Sequence, residues 1–198
     1  KHSFQFSIRH RFGAIEPNKS LVTGFLGMDI TANIQFSFAF PLGNKTMFSA
    51  GRTKIDKTYY LDVKRKLFNQ KSNNSMPVSV AVYANASIKS DEFKPVPNNS
   101  YFSDGITPFE NKFNHRLYYS TQLIVSRSFA DRISVQLAAV YVYQNLSPYG
   151  YENQTLAIPF SASIKTGLKS SFIAEYAYRF KNQPVNGIYP LSIGYEFG

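Results

Sequence analysis

The 198-residue chain has no cysteine, no tryptophan and no long hydrophobic run. Without cysteine there can be no disulfide scaffold and no thiolate metal centre. The longest unbroken apolar stretch, Leu137–Tyr143, falls far short of the ~18 residues that mark a membrane-spanning helix, so a helical membrane protein is excluded. Acidic residues are scarce as well. There are 12 Asp and Glu against 22 Lys and Arg, for a net charge of +10. The basic residues are not gathered into runs, so no nucleic-acid partner is expected; they fit a polar lumen, polar loops or an anionic surface better.

What the chain has instead is alternation. In the stretch 29–42, Ile30, Ala32, Ile34, Phe36, Phe38, Phe40 and Leu42 fall on one side and Asp29, Thr31, Asn33, Gln35, Ser37 and Ala39 on the other. Successive side chains of a strand point to opposite faces, so this ribbon is oily on one face and wet on the other. The pattern recurs and gives ten strand candidates: Ser3–Gly13, Asp29–Leu42, Thr46–Asp56, Lys57–Phe68, Pro77–Lys89, Arg116–Phe129, Arg132–Leu146, Thr155–Thr166, Ser170–Phe180 and Tyr189–Phe197. Most approach or exceed the ~9–11 residues of a tilted transmembrane strand, whereas soluble strands average ~5–6. The expected fold is all-β: one antiparallel up-and-down transmembrane β-barrel domain over 1–198, of about ten strands, or twelve if the chain is part of a longer barrel. A soluble lipocalin-like barrel shares the period, but strand length and the charges on the polar face argue against it.

The connections alternate in size. Turn chemistry sits at Pro41–Lys45, Ala130-Asp131 and Gly167–Lys169, while 14–28, 90–115 and 147–154 are long and polar. Short turns on one side and long loops on the other is the asymmetry of outer-membrane barrels. The short connection at Asp56-Lys57 breaks it. The chain opens at Lys1 already in strand pattern, as expected of a mature chain or a piece of one. Glycosylation sequons such as Asn44, Asn85 and Asn153 are weak signals in so Asn-rich a chain.

Parity assigns the faces. Outward are Phe4, Phe6, Ile8 and Phe12, then Val78, Val80, Val82 and Ile88. Ile133, Val135, Leu137 and Tyr141 follow, and finally Leu191, Ile193, Tyr195 and Phe197. Inward lie Gln5, Ser7, Ser120, Gln122 and a lumen charge cluster of Arg9, Arg11, Asp62, Lys64, Lys66, Arg116, Glu175, Arg179 and Glu196. A charge on the lipid face costs ~2–4 kcal/mol at the midplane, which fixes the register. Two residues resist it: Arg65 shares parity with Leu61 and Val63, and His10 with Phe12. Both belong at the interface, or the register slips.

His10-Arg11-Phe12-Gly13, Ala32-Asn33-Ile34, Gly51-Arg52, Asp56-Lys57-Thr58-Tyr59, the 116–146 hairpin, Ala174-Glu175-Tyr176 and Pro190–Tyr195 are short motifs whose order and spacing agree together. In these the chain resembles a family of membrane-bound β-barrel proteins from Bacteroidetes, catalogued as a domain of unknown function. The resemblance covers most of the chain apart from the long loops. It implies an outer-membrane location and supplies no activity. Members of that family usually continue beyond the Gly-Tyr segment with a Gly-Gly-His stretch and a further strand, and they carry a histidine where this chain has Tyr143-Gln144.

Chemistry has few places to hide. His2, His10 and His115 are the imidazoles. His115, near Tyr118 and Ser120 in sequence, reads as a solvated loop residue, and no nucleophile elbow, zinc spacing or phosphate loop occurs. No catalytic residues, metal or cofactor are expected. Charges inside so narrow a barrel are expected to pair into a rigid plug, with an anion-admitting lumen as the functional alternative. Tyr59, Tyr60, Tyr118, Tyr119, Tyr176 and Tyr178 read as an interfacial girdle. The leading expectation is a structural or accessory outer-membrane barrel, a rigid anchor contacting lipid or lipopolysaccharide. Its loops or outer wall would bind other outer-membrane or periplasmic proteins. A narrow anion-preferring pore comes next and a lipid-modifying enzyme last.

Overall fold

The computed structural model describes residues 4–11, 33–93, 101, 104, 106–147, 151–181 and 190–197. Ten strands form one antiparallel meander: β1 (Gln5–Arg11), β2 (Asn33–Leu42), β3 (Thr46–Thr53), β4 (Thr58–Phe68), β5 (Ser79–Lys89), β6 (Leu117–Phe129), β7 (Ile133–Gln144), β8 (Gln154–Lys165), β9 (Ser170–Arg179) and β10 (Leu191–Phe197). Each pairs with its sequence neighbours. These are the ten expected strands, with described boundaries within a few residues of the expected ones, β8 beginning one residue earlier at Gln154; the expected ends at Ser3, Phe12-Gly13, 29–32 and Tyr189 lie outside the described residues.

Side-chain exposure separates the faces. On β2, Phe36, Phe38 and Phe40 are exposed, whereas Gln35, Ser37 and Ala39 between them are half-buried. On β7, Leu137 is 50% exposed and the adjacent Ala138 only 4%. The oily face therefore points away from the protein and the mixed face is covered by it. A soluble fold buries its apolar face, so this inversion is the signature of a wall whose solvent is hydrocarbon. The buried core lies on the inner face, where Ala81, Ile124 and Ala138 occupy directly paired positions on β5, β6 and β7. Tyr83 and Val140 pack against them from the next row.

The turns follow local chemistry. Gly43 supplies the positive φ (70°) of the β2–β3 turn, and Ala130 and Asp131 both take positive φ (46° and 52°) in the β6–β7 turn. Two successive left-handed residues match the twist of a two-residue hairpin. The short β3–β4 connection is a single 3-10 turn at Ile55–Lys57, with Asp56 and Lys57 again left-handed. There Asp56 pairs with Lys89 at 2.7 Å. At the opposite end, Gln70 exchanges two hydrogen bonds of 2.8 Å with the backbone of Ser128, clasping the β4–β5 connection to β6.

Two irregularities have evident causes. The β4–β5 register shifts between Lys66 and Phe68, so Phe68 pairs with Val80 and joins the outer face, against the parity of the strand before it. A one-residue bulge thus keeps a phenylalanine in the apolar band. The shift comes after Arg65, which stays paired with Val82 on the outer face. In the β7–β8 ladder, no partners occur between Leu137–Phe160 and Val140–Ala157; Pro159, which has no N–H to donate, lies there.

Among the described residues β1 and β10 are not paired, so the sheet has two edges. Glu196 lies opposite Ser171 on β9, and β10 is exposed along its whole described length.

Candidate functional site

The inner face of β2–β5 carries a polar network. Tyr60, buried on β4, lies opposite Gly51, and its hydroxyl accepts a 2.6 Å hydrogen bond from Gln35 Nε2. A Cβ at Gly51 would come within 2.3 Å of both the Phe36 carbonyl oxygen and the Tyr60 hydroxyl, so only glycine lets the ring lie against the sheet. One row on, Asp62 is hydrogen-bonded to Ser49, its direct partner on β3, and to Tyr83 on β5. Tyr83 is in turn linked to Asn85, whose side-chain oxygen accepts from Ser87 at 2.6 Å. The Arg9 guanidinium on β1 acts electrostatically on both Asp62 and Tyr83. A carboxylate removed from bulk water thus has hydroxyl donors and a nearby cation, as burial requires.

The other members of the expected charge cluster are dispersed. Lys64 and Lys66 continue the Asp62 side of β4 towards the short-turn end and are exposed. Glu175 on β9 lines a small inner cavity of about 190 Å³ with Gln136, Ser161 and Ser192. Arg179 is half-buried opposite Ala157. Arg116 sits in a 3-10 turn at the loop end, donating from Nη1 to the Asp91 carbonyl at 2.6 Å and lying over the Phe93 ring at 4.9 Å. Arg11 pairs with Asn33 through the β1–β2 ladder; its side chain, like His2 and Phe12, lies outside the described residues. Among the described residues, the ion pairs Lys57–Asp91, Lys89–Asp56, Lys112–Glu110 and Lys181–Glu152 fall at the loop end, and none joins two members of the cluster. A salt-bridged plug is therefore not what fills the described lumen. Hydroxyls, amides and a small apolar core do so.

The adjacent tyrosines divide between the faces. Tyr59, Tyr119, Tyr176 and Tyr178 are exposed on the outer wall, but Tyr60 is buried inside and Tyr118, half-buried, lies beneath the Lys89 ammonium at 4.7 Å. Period two forbids neighbouring residues from sharing a face, so the girdle can take only one of Tyr59-Tyr60 and one of Tyr118-Tyr119, whereas Tyr176 and Tyr178, two apart, both join it. Sequence parity passed over Tyr60, Tyr83 and Asn85 as network members, although each is polar at an inward position, and that was the available signal.

The β5–β6 loop has its own core. Phe93, Tyr101 and Phe109 stack mutually, with ring centroids 4.6–5.6 Å apart, and His115 packs against Phe109 at 5.7 Å. His115 is thus half-buried in an aromatic cluster rather than solvated. Burial pushes the Tyr101 hydroxyl above its ordinary range. A turn closed by Asp104, which accepts from the backbone of Ile106 and Thr107 at 3.0 and 3.1 Å, presents Ile106 to solvent at 83% exposure. No group of three or more metal-ligating side chains occurs among the described residues.

The family described as a membrane-bound β-barrel domain of unknown function (DUF5777) matches residues 1–198. No curated protein matches the chain. The chain belongs to that family, in agreement with the outward apolar face and the meander.

Proposed function

We propose that this member of the membrane-bound barrel family is a non-catalytic outer-membrane anchor whose loop end docks another envelope protein. The observation that carries the reading is the aromatic cluster formed by the described residues of the β5–β6 connection. Phe93, Tyr101 and Phe109 give it an internal core, Arg116 ties that core to the strand ends, and Ile106 and Phe113 stay exposed at 83% and 68%. A loop that only connects two strands has no need of a packed core. A preformed apolar projection lowers the ordering cost of binding a partner. Placement in the outer membrane rests on strand length and on the split between short turns and long loops.

The test is co-purification from native membranes in mild detergent, with the wild-type chain beside Ile106→Asp. The reading requires a stoichiometric companion that is lost in the variant while heat-modifiable gel migration is kept. Recovery of the wild type alone, or of the same companion with both chains, would sink it. A narrow anion-preferring pore is the second reading, favoured by Lys64 and Lys66 on the Asp62 side of β4. Single-channel recording separates the two, because a sealed lumen gives a flat trace from folded protein.

A further inference from the structure

Three arginines face outward among the described strands, and they are treated differently. Arg52 on β3 lies over the Tyr59 ring at 5.4 Å, and Arg127 on β6 over the Phe129 ring at 4.9 Å. An aromatic face shields each guanidinium where the wall meets hydrocarbon. Arg65 has no such ring and forms no hydrogen bond or ion pair with a described residue. It is paired instead with Val82 and Thr46, and it is exposed.

Beside Arg65 the outer wall is hollowed. A groove of about 680 Å³ crosses β4 to β8 and reaches Phe180. Its lining includes three small outward residues on successive strands, Ala84 with its partner Thr121 in one row and Ala139 in the next, beside Tyr141 and Leu123, which share those rows and line the groove as well. Arg65 stands at its short-turn end, near the exposed Lys45 of the β2–β3 turn, and Leu156 and Phe180 stand at its loop end. The size falls within the ~300–1,000 Å³ of ordinary ligand sites, and the lining is apolar with one cationic end.

We infer that this groove holds one anionic glycerophospholipid, with its phosphate on Arg65 and an acyl chain over Ala84, Thr121 and Ala139. The charge supplies the selection. A planar guanidinium can hold a phosphate through two parallel hydrogen bonds, and that contact offsets the cost of a bare cation on a lipid-facing strand. The hollow supplies the shape, because smooth walls of phenylalanine and leucine contact lipid without selecting among headgroups. This assignment needs only a membrane-embedded wall and is independent of partner docking at the loops.

The test is native mass spectrometry of the full chain in detergent, titrated separately with phosphatidylglycerol and phosphatidylcholine. Wild type should retain phosphatidylglycerol in preference. Arg65→Gln should weaken that retention roughly tenfold, the scale of one lost charge-assisted contact, and should weaken phosphatidylcholine less, because its choline cation already offsets the charge of the same phosphate. Arg65→Lys should fall between, and Ala139→Phe, which fills the floor, should weaken both lipids. Heat-modifiable migration of each variant verifies folding. Equal retention of the two lipids by wild type overturns the proposal, as does undiminished phosphatidylglycerol binding by Arg65→Gln. So would a dimer that Ala139→Phe disrupts in place of a lipid adduct, since the groove would then seat a second copy.

Discussion

Strands β5–β7 and the edge strand β10 have the same alternating sequence and opposite surroundings. In the first sector the inner face is covered: Ala81, Ile124 and Ala138 are buried in register, and β6 and β7 run 13 and 12 residues. At the edge, β10 is seven residues long and exposed on both faces, pairing among the described residues with β9 alone. Alternation therefore specifies which face of a strand meets lipid, but a strand becomes buried on its other face only where the sheet curls enough for inner side chains to meet. The sector around Ile124 should carry the stability of the wall, and β10 should be its least protected element.

The largest effect should follow a charge placed on the outer wall of the first sector. Leu137→Arg should destabilise the folded protein in bilayers by about 2–4 kcal/mol, read from urea unfolding in lipid vesicles. A cost near zero would mean that the position is not bathed in hydrocarbon. Next comes the inner core: Ile124→Ala should cost about 2 kcal/mol or more through lost burial, while Ile193→Ala on β10 should stay within ~0.5 kcal/mol. Equal costs would erase the contrast between the two regions. Gly51→Ala should cost about 1–3 kcal/mol, since the added methyl meets the Phe36 carbonyl and displaces the Tyr60 ring. Tyr60→Leu in the same background should recover only part of that loss, because the backbone oxygen remains. The smallest effect concerns the loop. The Thr107 hydroxyl and the backbone N–H groups of Ile106 and Thr107 hold the Asp104 carboxyl below the usual carboxylate range. Its turn is then fully present above the ordinary Asp value of ~3.9 and is lost only as pH falls through the lower folded value. Amide shifts of Ile106 and Thr107 that titrate at or above the ordinary value would contradict it.

The ten strands and their two faces were legible in the sequence because period two is a local property; each residue such as Phe36 or Leu137 declares its face through its immediate neighbours. The strand ladder adds what locality cannot supply. Asp62 was marked as an inward charge, yet its partners Ser49 and Tyr83 come from flanking strands and follow only from register. The bulge near Leu67 turns Phe68 outward against the parity of β4, and nothing local announces it. The loop core was invisible for a different reason: Phe93, Tyr101 and Phe109 follow neither a strand nor a helix period, so the segment read as a polar connector and His115 as solvated. Among the described residues no ion pair joins two members of the expected lumen cluster, because cations and carboxylates that share a face still need adjacent positions to meet; Arg9 acts on Asp62 only electrostatically.

The most direct test uses the absence of cysteine, which makes any introduced thiol the sole labelling site. Nitroxides placed one at a time along β7 from Val135 to Tyr141, in lipid vesicles, report relaxation by oxygen, which dissolves in hydrocarbon, and by a water-soluble nickel chelate. Oxygen relaxation should peak at Val135, Leu137, Ala139 and Tyr141 and drop at Gln136, Ala138 and Val140. The reverse phase, with Ala138 and Val140 in hydrocarbon and Leu137 shielded, would contradict the account.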